Sequence, residues 1–325
     1  MNLCSNILYL SEAGPAQASS LERAVTMAEN NQAMLTVIDV VPVSVITAGI
    51  GLPTGGSIPE QLQTAVVDNC RKELDALVEP YRERLDIQTD VLVGRRFIQV
   101  IRAILRNHYD LLIKPVENPG FIERLFGSDD MQLLRNCPCP LWLTRAEEKP
   151  KYENILAAVD FDLHIPDTVD QDLNWKILDL SSSLAISDFS AMHLIHVWDA
   201  PGELSIRLWS EDPEQASIAY LRGVRSGHEA ALADLRTQFK ARLGEKSYDY
   251  LAPKFHLHQG TPTTVIPEFA RQIKADLVVM GTVARTGIAG LLIGNTAEAV
   301  LEQLQCSVLA VKPSGFVSPV TLPEE

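Results

Sequence analysis

The chain has 325 residues, and at about 100–200 residues per domain this length predicts two domains. With 46% hydrophobic and 22% charged residues it can bury a large core, which excludes a long disordered chain or a fibrous protein. Acidic residues outnumber basic ones by 42 to 28, and the net charge of −14 argues against binding to nucleic acid or to an anionic membrane surface.

The N-terminal segment lacks a basic stretch and has the pattern of a first strand, not of a signal peptide. No apolar run reaches the ~18–20 residues of a membrane-spanning helix. The odd number of scattered cysteines predicts reduced thiols in a cytoplasmic protein. They are Cys4, Cys70, Cys137, Cys139 and Cys306. The Cys137-Pro-Cys139 motif fits neither a CxxC redox centre nor half of a zinc site, so we interpret it as two buried small residues before a strand.

Short apolar runs alternate with segments of helical periodicity along the first half of the chain. The longest helical segment carries apolar residues every three or four positions, from Leu62 and Val66 to Val78 and Tyr81. The predicted elements, in order, are strand Ile7–Leu10, helix Ser19–Asn31, strand Leu35–Val41, helix Pro59–Leu85, strand Thr89–Val93, helix Phe97–Asn107, strand Leu111–Lys114, helix Asp129–Asn136 and strand Leu141–Thr144.

The second half of the chain repeats the first. Asn6 matches Asn154 at an offset of 148, and Gly94 matches Gly260 at an offset of 166. Offsets that grow slowly and never reverse indicate two copies of one module with small insertions in the second. The second copy includes a helix from about Pro213 to Leu243 and a last strand, Ser307–Lys312. The charged, proline-containing segment 147–151 resembles a linker, so the predicted divisions are domain 1 at 1–146, domain 2 at 152–315 and a C-terminal tail at 316–325.

Strands that are apolar throughout and alternate with helices predict a parallel sheet covered on both faces. The predicted fold class is therefore α/β, with two tandem doubly wound domains that each contain a five-stranded parallel sheet. Ligands of such sheets bind beyond the carboxyl ends of the strands, where the strand order reverses. Candidate binding residues are therefore expected in the loops that follow the strands.

One loop of this kind follows the predicted strand Leu277–Met280. It contains Gly281 and Gly294, and glycine lets backbone N–H groups approach a ligand closely. Asn295 or Thr296 can cap the helix that follows, and the free N–H groups of residues 294–296 suit a phosphate. The sequence is neither a Walker A loop nor a GxGxxG motif. An alternative interpretation is a tight strand–helix connection with an ordinary cap.

The segment Gly281-Thr-Val-Ala284, nine residues, Gly294-Asn295-Thr296 resembles the G-x2-G-x9-G-[S/T] nucleotide loop of the universal stress protein family. The segment 154–160, Asn-Ile-Leu-Ala-Ala-Val-Asp, is similar to that family's first strand and its aspartate. The resemblance extends over both copies. It implies an adenine nucleotide alpha hydrolase-like fold, a cytoplasmic stress-response role, ATP binding in some members, and assembly as a homodimer or as a pseudo-dimer within one tandem chain.

The resemblance also implies roles for individual residues. Ala158 and Asp160 border the adenine or ribose, Val197 ends the second strand, and Met280 and Gly281 face the base and sugar. The loop and helix start face the phosphates. The implied ligand-binding residues are Ala158, Asp160, Val197, Met280, Gly281, Ala284, Arg285, Gly294, Asn295 and Thr296. Two of these depart from the family pattern, because Ala284 replaces a glycine and Asn295 replaces a serine or threonine.

The first copy departs further from this pattern. Counting back from Gly127 places Lys114 at the first glycine position and Glu117 at the second. Ser11 is the nearest polar residue to the position of the aspartate, and of the loop motif only Gly127 and Ser128 remain. A carboxylate such as that of Glu117 repels phosphates. The prediction is that ATP binds in the second domain only.

Two further groups of residues leave alternatives open. Four histidines lie on predicted strands, which permits a zinc site or, as we prefer, ordinary buried histidines; they are His193, His196, His256 and His258. An acidic segment after a strand permits Mg²⁺ beside a nucleotide or is a solvated turn; it contains Asp160, Asp162, His164 and Asp167.

The preferred hypothesis is a non-catalytic stress-response protein whose second domain binds ATP or another adenine nucleotide. No GxSxG motif, catalytic cysteine–histidine signature or obvious general base is present. One alternative is a slow ATPase or nucleotide-dependent phosphotransferase. Another is a scaffold that binds a different small ligand and no nucleotide.

Overall fold

A computed structural model of the chain describes residues 4–12, 17–44, 60–116, 129–145, 147–161, 168–283 and 293–323. Their strands are β1 (Asn6–Leu10), β2 (Met34–Val41), β3 (Ile87–Val93), β4 (Leu111–Val116), β5 (Leu141–Arg145), β6 (Asn154–Ala158), β7 (Ala191–Trp198), β8 (Lys254–Gln259), β9 (Leu277–Gly281) and β10 (Ser307–Val311). Their helices are α1 (Ala18–Asn31), α2 (Glu60–Val78), α3 (Arg96–Asn107), α4 (Asp129–Asn136), α5 (Thr168–Asp188), α6 (Glu203–Trp209), α7 (Pro213–Leu243), α8 (Glu245–Leu251), α9 (Pro262–Gln272) and α10 (Asn295–Leu301), with a 3₁₀ turn at Glu79–Tyr81.

The chain divides into two compact units. The first contains Met1–Pro150, Thr282–Gly294 and Gln305–Glu325. The second contains Lys151–Gly281 and Asn295–Leu304. The last strand of the second copy, β10, is therefore part of the first compact unit.

The first unit contains the predicted parallel sheet, in the order β3-β2-β1-β4-β5. One addition to this sheet was not predicted. Strand β10 runs antiparallel beside β5, with Leu309 opposite Trp142. The expectation of two separate all-parallel sheets was wrong here because an apolar run predicts a buried strand but carries no information on its direction. The α/β doubly wound class itself is confirmed.

The core of the first unit lies along its central strands. Residues 7–10 of β1 and Trp142 of β5 are completely buried. Removing each large apolar side chain from water contributes about 1.5–3 kcal/mol, which explains why these strands are apolar at every position and not at alternate ones.

Helix α2 ends earlier than the predicted helix Pro59–Leu85. The α-helix stops at Val78 and a 3₁₀ turn follows. Pro80 explains the difference, because proline has no N–H to donate to the carbonyl four residues earlier, and the α-helical hydrogen bonding cannot continue through it. The predicted start at Pro59 lies outside the described residues.

The second unit contains a parallel sheet of four strands, in the order β8-β7-β6-β9. The longest described helix of this unit is α7, and it has the predicted bounds Pro213–Leu243. Its start is set by Asp212, whose carboxylate accepts a hydrogen bond of 3.1 Å from the Gln215 N–H, and by proline at the first helical position. Gly244 ends it. None of the helices among the described residues is long and apolar enough to span a membrane.

The duplication is visible in the backbone. The N–H of Gly94 donates to the Val41 carbonyl, and the N–H of Gly260 donates to the Trp198 carbonyl, both over 3.0 Å. The two glycines have φ angles of +142° and +141°. A Cβ at Gly260 would lie 2.8 Å from Cγ2 of Val265. Glycine is therefore required where β8 turns into α9.

We expect Gly260→Ala to lower the free energy of unfolding by about 1–3 kcal/mol, because it forces a non-glycine residue into a strained backbone conformation. The matched control is Gly223→Ala within α7, where an added Cβ meets nothing within 4 Å. That substitution should stabilise the chain by about 0.5–1 kcal/mol. Urea unfolding of the three proteins measures both changes, and equal effects of the two substitutions would contradict the assignment.

Candidate functional site

The strand order of the second unit reverses beside its first strand. From β6 the chain continues to β7 and β8 on one side, and β9 then lies on the other side of β6. At the carboxyl ends of this pair, Ala158 lies opposite Met280. Ligands of doubly wound sheets bind in the crevice at such a reversal. The candidate site of the second unit therefore begins at these two residues.

Asp160 follows directly after β6 and holds its carboxylate at the surface, with 65% of the side chain exposed. Its backbone is fixed by the buried Asn174 of α5. The Asn174 amide donates to the Asp160 carbonyl over 2.7 Å, and the Asp160 N–H donates to the Asn174 amide oxygen over 3.1 Å. Asn174 was not predicted, since a single polar residue in a helical pattern carries no specific signal.

His196 of β7 lies beside this carboxylate. Its Nδ1 is 3.3 Å from the Val159 carbonyl oxygen and 3.9 Å from Oδ1 of Asp160. Its Nε2 is 2.8 Å from Nδ1 of His228, which in turn stacks on Trp198. Both nitrogens of this buried imidazole are therefore engaged within the chain.

The predicted site residues differ in accessibility. Ala158 and Gly281 are partly exposed, whereas Val197 and Met280 are buried. Gly281 has a packing role of its own, since a Cβ there would lie 2.7 Å from Cδ2 of Leu173 in α5. The predicted residues Ala284 and Arg285 lie outside the described residues.

Gly294 corrects one detail of the predicted phosphate loop. Its N–H donates to the Thr282 carbonyl over 3.1 Å, so this group is used within the chain and not directed at a phosphate. The next residue on each side, Val283 and Ile293, pair in an isolated antiparallel β-bridge. The sequence could not show this pairing because both residues belong to a loop of undefined path. Asn295 and Thr296 are exposed at the start of α10.

The equivalent strand ends of the first unit carry different residues from those predicted. The Ser11 N–H donates to the Ile38 carbonyl just as the Val159 N–H donates to the Ile195 carbonyl. Ser11 is therefore equivalent to Val159, and the residue in the place of Asp160 is Glu12. The prediction of Ser11 was wrong by one residue, although the offset of 148 between Asn6 and Asn154 already indicated Glu12.

Lys114 is likewise displaced by one position. Ile7 pairs with Leu111 as Ile155 pairs with Leu277, which makes Lys114 equivalent to Met280 and not to Gly281. The prediction counted back from Gly127 across a loop, and loops of the two copies need not have equal length. Glu117, Gly127 and Ser128 lie outside the described residues.

A network of charges covers these strand ends in the first unit. The Lys114 ammonium, only 4% exposed, contacts the Glu12 carboxylate and lies 2.8 Å from Oδ1 of Asp130. Arg96 lies 3.1 Å from Oε2 of Glu12 and 3.5 Å from Oδ1 of Asp39. Glu12 and Lys114 stand where the second unit has Asp160 and Met280, so the strand ends of the first unit carry side chains that are paired with one another.

Asp39 also accepts a hydrogen bond of 3.3 Å from the Cys70 thiol. Burial, followed by the charge and the hydrogen bond of Asp39, raises the pKa of Cys70 to about 12. This thiol therefore stays protonated. The sequence did not identify Asp39, Arg96 or Asp130, because they come from three separate elements.

We expect Lys114→Met to lower the free energy of unfolding by about 3–5 kcal/mol, because it removes the buried cation that Glu12 and Asp130 share and leaves Arg96 beside Glu12 alone of these two carboxylates. Arg225→Ala is the control, since its pair with Glu229 is 2.8 Å long but more than half exposed. Its removal should change stability by less than about 1 kcal/mol. Denaturant titration gives the free energy of unfolding of both variants. Similar small decreases in the two would show that the charge network does not stabilise the fold.

The other histidines form a second cluster on β7 and β8. Nδ1 of His193 lies 3.1 Å from Nε2 of His256, and the rings stack 5.2 Å apart. His258 lies next to His256, and Phe269 of α9 contacts all three rings. The described residues contain no group of three His, Cys, Asp or Glu side chains suited to a metal. The zinc alternative is therefore not supported there, because His193 and His256 direct ring nitrogens at each other.

Burial, then the charges of His256 and Lys254, lower the pKa of His193 from 6.5 to about 4. Burial, His258 and Lys254 also lower the pKa of His256. The unfolded chain therefore binds more protons than the folded chain between pH 6.5 and about 4. The stability that the folded chain gains by keeping His193 neutral is fully present above pH 6.5 and is lost as the pH falls from 6.5 to about 4.

The free energy of unfolding should fall by up to about 1.4 kcal/mol per pH unit between these limits for one such histidine. His193→Phe keeps an aromatic ring beside Phe269 and should flatten the slope. His108→Asn, at an exposed position with φ of 54°, is the control and should leave the slope unchanged. Denaturant unfolding at several pH values gives the slopes, and a wild-type slope in His193→Phe would refute the assignment.

Two copies of one α/β module, each with a polar strand end beside its first strand, define this chain as a tandem doubly wound protein. A family model described as "Universal stress protein family" matches residues 5–145 and 151–312, and the chain belongs to this family. The family supports a role in the response to stress.

Relatives and solved structures agree with this assignment. The chain is 30% identical to Universal stress protein E of Photorhabdus laumondii over 246 residues, 74% of each chain. It is 27% identical to the Universal stress protein E homolog of Haemophilus influenzae over 95% of this chain and 97% of that protein. A universal stress protein from Archaeoglobus fulgidus has the same fold, with a TM-score of 0.61, 16% identity and coverage of 95% of this chain and 97% of that one.

Proposed function

We propose that the chain is a non-catalytic stress-response protein of the cytoplasm that binds one ATP at the strand ends of its second domain. We further propose universal stress protein domains at 1–146 and 152–315, followed by a tail at 316–325. The observation that carries the proposal is the contrast between the two strand ends. Asp160 presents an exposed carboxylate after β6, whereas Glu12 at the equivalent place is paired with Lys114 and Arg96.

The residues of the second unit suit an adenine nucleoside. The partly exposed Ala158 and Gly281 offer an apolar edge to a flat base. The Asp160 carboxylate can accept hydrogen bonds from ribose hydroxyl groups, and Asn174 fixes the backbone of Asp160 from which this carboxylate extends. The exposed start of α10, at Asn295 and Thr296, supplies backbone N–H groups of the kind that bind phosphate.

Mg²⁺ is proposed as a companion of the nucleotide phosphates. Of the acidic segment considered for it, Asp160 is the member with a described side chain, and a carboxylate oxygen is a suitable ligand. The other members, Asp162, His164 and Asp167, lie outside the described residues.

The ATPase alternative needs a general base near the phosphates. Among the described residues, the His196 imidazole lies 3.9 Å from Asp160, but it is buried and bonds the Val159 carbonyl and His228 through its two nitrogens. It is therefore poorly placed to accept a proton from water. This geometry favours nucleotide binding without turnover.

The test is isothermal titration of the full chain with ATP, with and without Mg²⁺. The full chain is required because β10 belongs to the first compact unit. We expect one ATP per chain. Asp160→Ala should weaken binding about ten- to a hundredfold, because hydrogen bonds to a charged group contribute roughly 1.5–3 kcal/mol.

Asp234→Ala is the matched control, because it removes the same charge from the exposed face of α7. The ATP affinity and the thermal stability of the Asp234→Ala variant should equal those of the wild type. Two ATP per chain would contradict the difference between the copies. No binding would favour the scaffold hypothesis, and accumulation of ADP beyond one equivalent would favour the ATPase hypothesis.

A further inference from the structure

Two thiols face each other at the end of α4 in the first unit. Cys137 and Cys139 are free cysteines, exposed by only 1% and 6%, and their sulfur atoms lie 3.6 Å apart. The N–H of Cys137 donates to the Leu133 carbonyl over 2.9 Å, which fixes the first thiol to the last turn of the helix. Leu141, two residues beyond Cys139, begins β5. The pair is therefore held between two regular elements.

We propose that Cys137 and Cys139 are a reversible dithiol–disulfide site that is oxidised by hydroperoxides. This site is separate from both strand-end crevices and does not depend on the nucleotide proposal. The thiols need to approach by about 1.5 Å to reach a disulfide bond length of about 2.05 Å. Rotation of two adjacent side chains can supply such a movement, with Pro138 restricting the backbone between them.

A cation lies on the helix end that carries the pair. The ammonium of Lys312 donates to the Leu134 carbonyl over 2.6 Å and to the Arg135 carbonyl over 3.4 Å. It is buried, and burial lowers its pKa to about 8 although the charge of Cys137 acts in the opposite direction. A positive charge near a thiol favours the thiolate, which is the reactive form of cysteine.

The two thiols have different roles. Burial alone opposes ionisation of Cys137, but hydrogen bonds from the thiol and backbone of Cys139 and the charge of Lys312 outweigh it, so the pKa of Cys137 is lowered. The pKa of Cys139 is raised well above 9.0, first by the hydrogen bond of Cys139 to Cys137 and then by burial. Cys137 is therefore the nucleophile that attacks the peroxide. Cys139 stays protonated in this first step and then attacks the oxidised Cys137 sulfur as the resolving thiol.

The chemistry has two steps. The Cys137 thiolate attacks one peroxide oxygen, the O–O bond breaks, Cys137 becomes a sulfenic acid, and the other oxygen leaves as an alcohol, or as water from hydrogen peroxide, after taking a proton. Cys139 then loses its proton and attacks the Cys137 sulfur. The S–S bond forms as the S–O bond breaks, and water leaves. Two electrons pass from the dithiol to the peroxide, and a small dithiol reverses the reaction.

The chain contains matched comparisons for this pair. Cys306 stands at the position of Cys139 in the second copy, at an offset of 167, but Leu304 occupies the place of Cys137. Cys306 is also buried. Cys70 is more accessible, but burial, together with the charge and the hydrogen bond of Asp39, raises its pKa and keeps it protonated. Accessibility alone therefore predicts oxidation of Cys70, whereas the proposal predicts oxidation of the pair.

The experiment exposes the full-length protein to hydrogen peroxide, alkylates the remaining thiols and identifies tryptic peptides by mass spectrometry. Arg135 and Arg145 release both thiols in one peptide, Asn136–Arg145. We expect this peptide to escape alkylation, to be lighter by two hydrogen atoms and to be restored by dithiothreitol. The loss of its thiols should be at least about tenfold faster than that of Cys306 or Cys70, because the reactive thiolate is more abundant.

Three variants complete the test. Cys139→Ser should trap a sulfenic acid on Cys137 that reacts with dimedone, Cys137→Ser should lose the rapid reaction, and Cys306→Ser should behave as the wild type. Urea unfolding confirms that each variant is folded. Loss of the pair's thiols no faster than that of Cys306, or sulfinic acid without disulfide in the native protein, would overturn the proposal.

Discussion

Parallel strands that are buried on both faces constrain everything else in this protein. Helices must connect such strands and cover them, so the central strands are largely apolar and charged side chains collect where the strands end. The buried stretch at residues 7–10 is followed at once by Glu12, and β6 is followed by Asp160. The chemical difference between the two copies at the candidate site therefore lies at the strand ends, on a backbone that both copies share.

The two copies use this position in opposite ways. In the first, Lys114 and Arg96 neutralise carboxylates from other elements, and the strand ends become part of a charged interior. In the second, Met280 takes the place of Lys114, and the Asp160 carboxylate remains at the surface. One substitution of an apolar residue by a lysine on a central strand thus accompanies the change from a candidate binding site to a structural one.

The sequence predicted the fold well where the signals were local. Periodicity, Asp212 and Pro213 placed helix α7 correctly, and apolar runs placed the strands within one or two residues at most ends. It failed where distant segments meet. The antiparallel direction of β10 depends on its partner strand, and the ion pairs around Glu12 join residues far apart in the chain. Counting across a loop displaced Lys114 by one position, whereas strand register identifies it without ambiguity.

Because β10 comes from the second copy but belongs to the first compact unit, the sheet of the first copy is complete only when the second copy is present. A gene truncated at the segment between them would encode the first five strands without β10, and the backbone groups of β5 that now pair with it would become an open edge. Such an edge is a template for association with other chains. Loss of the second copy would therefore make the remaining chain more prone to association with other chains, whichever copy carries the binding site.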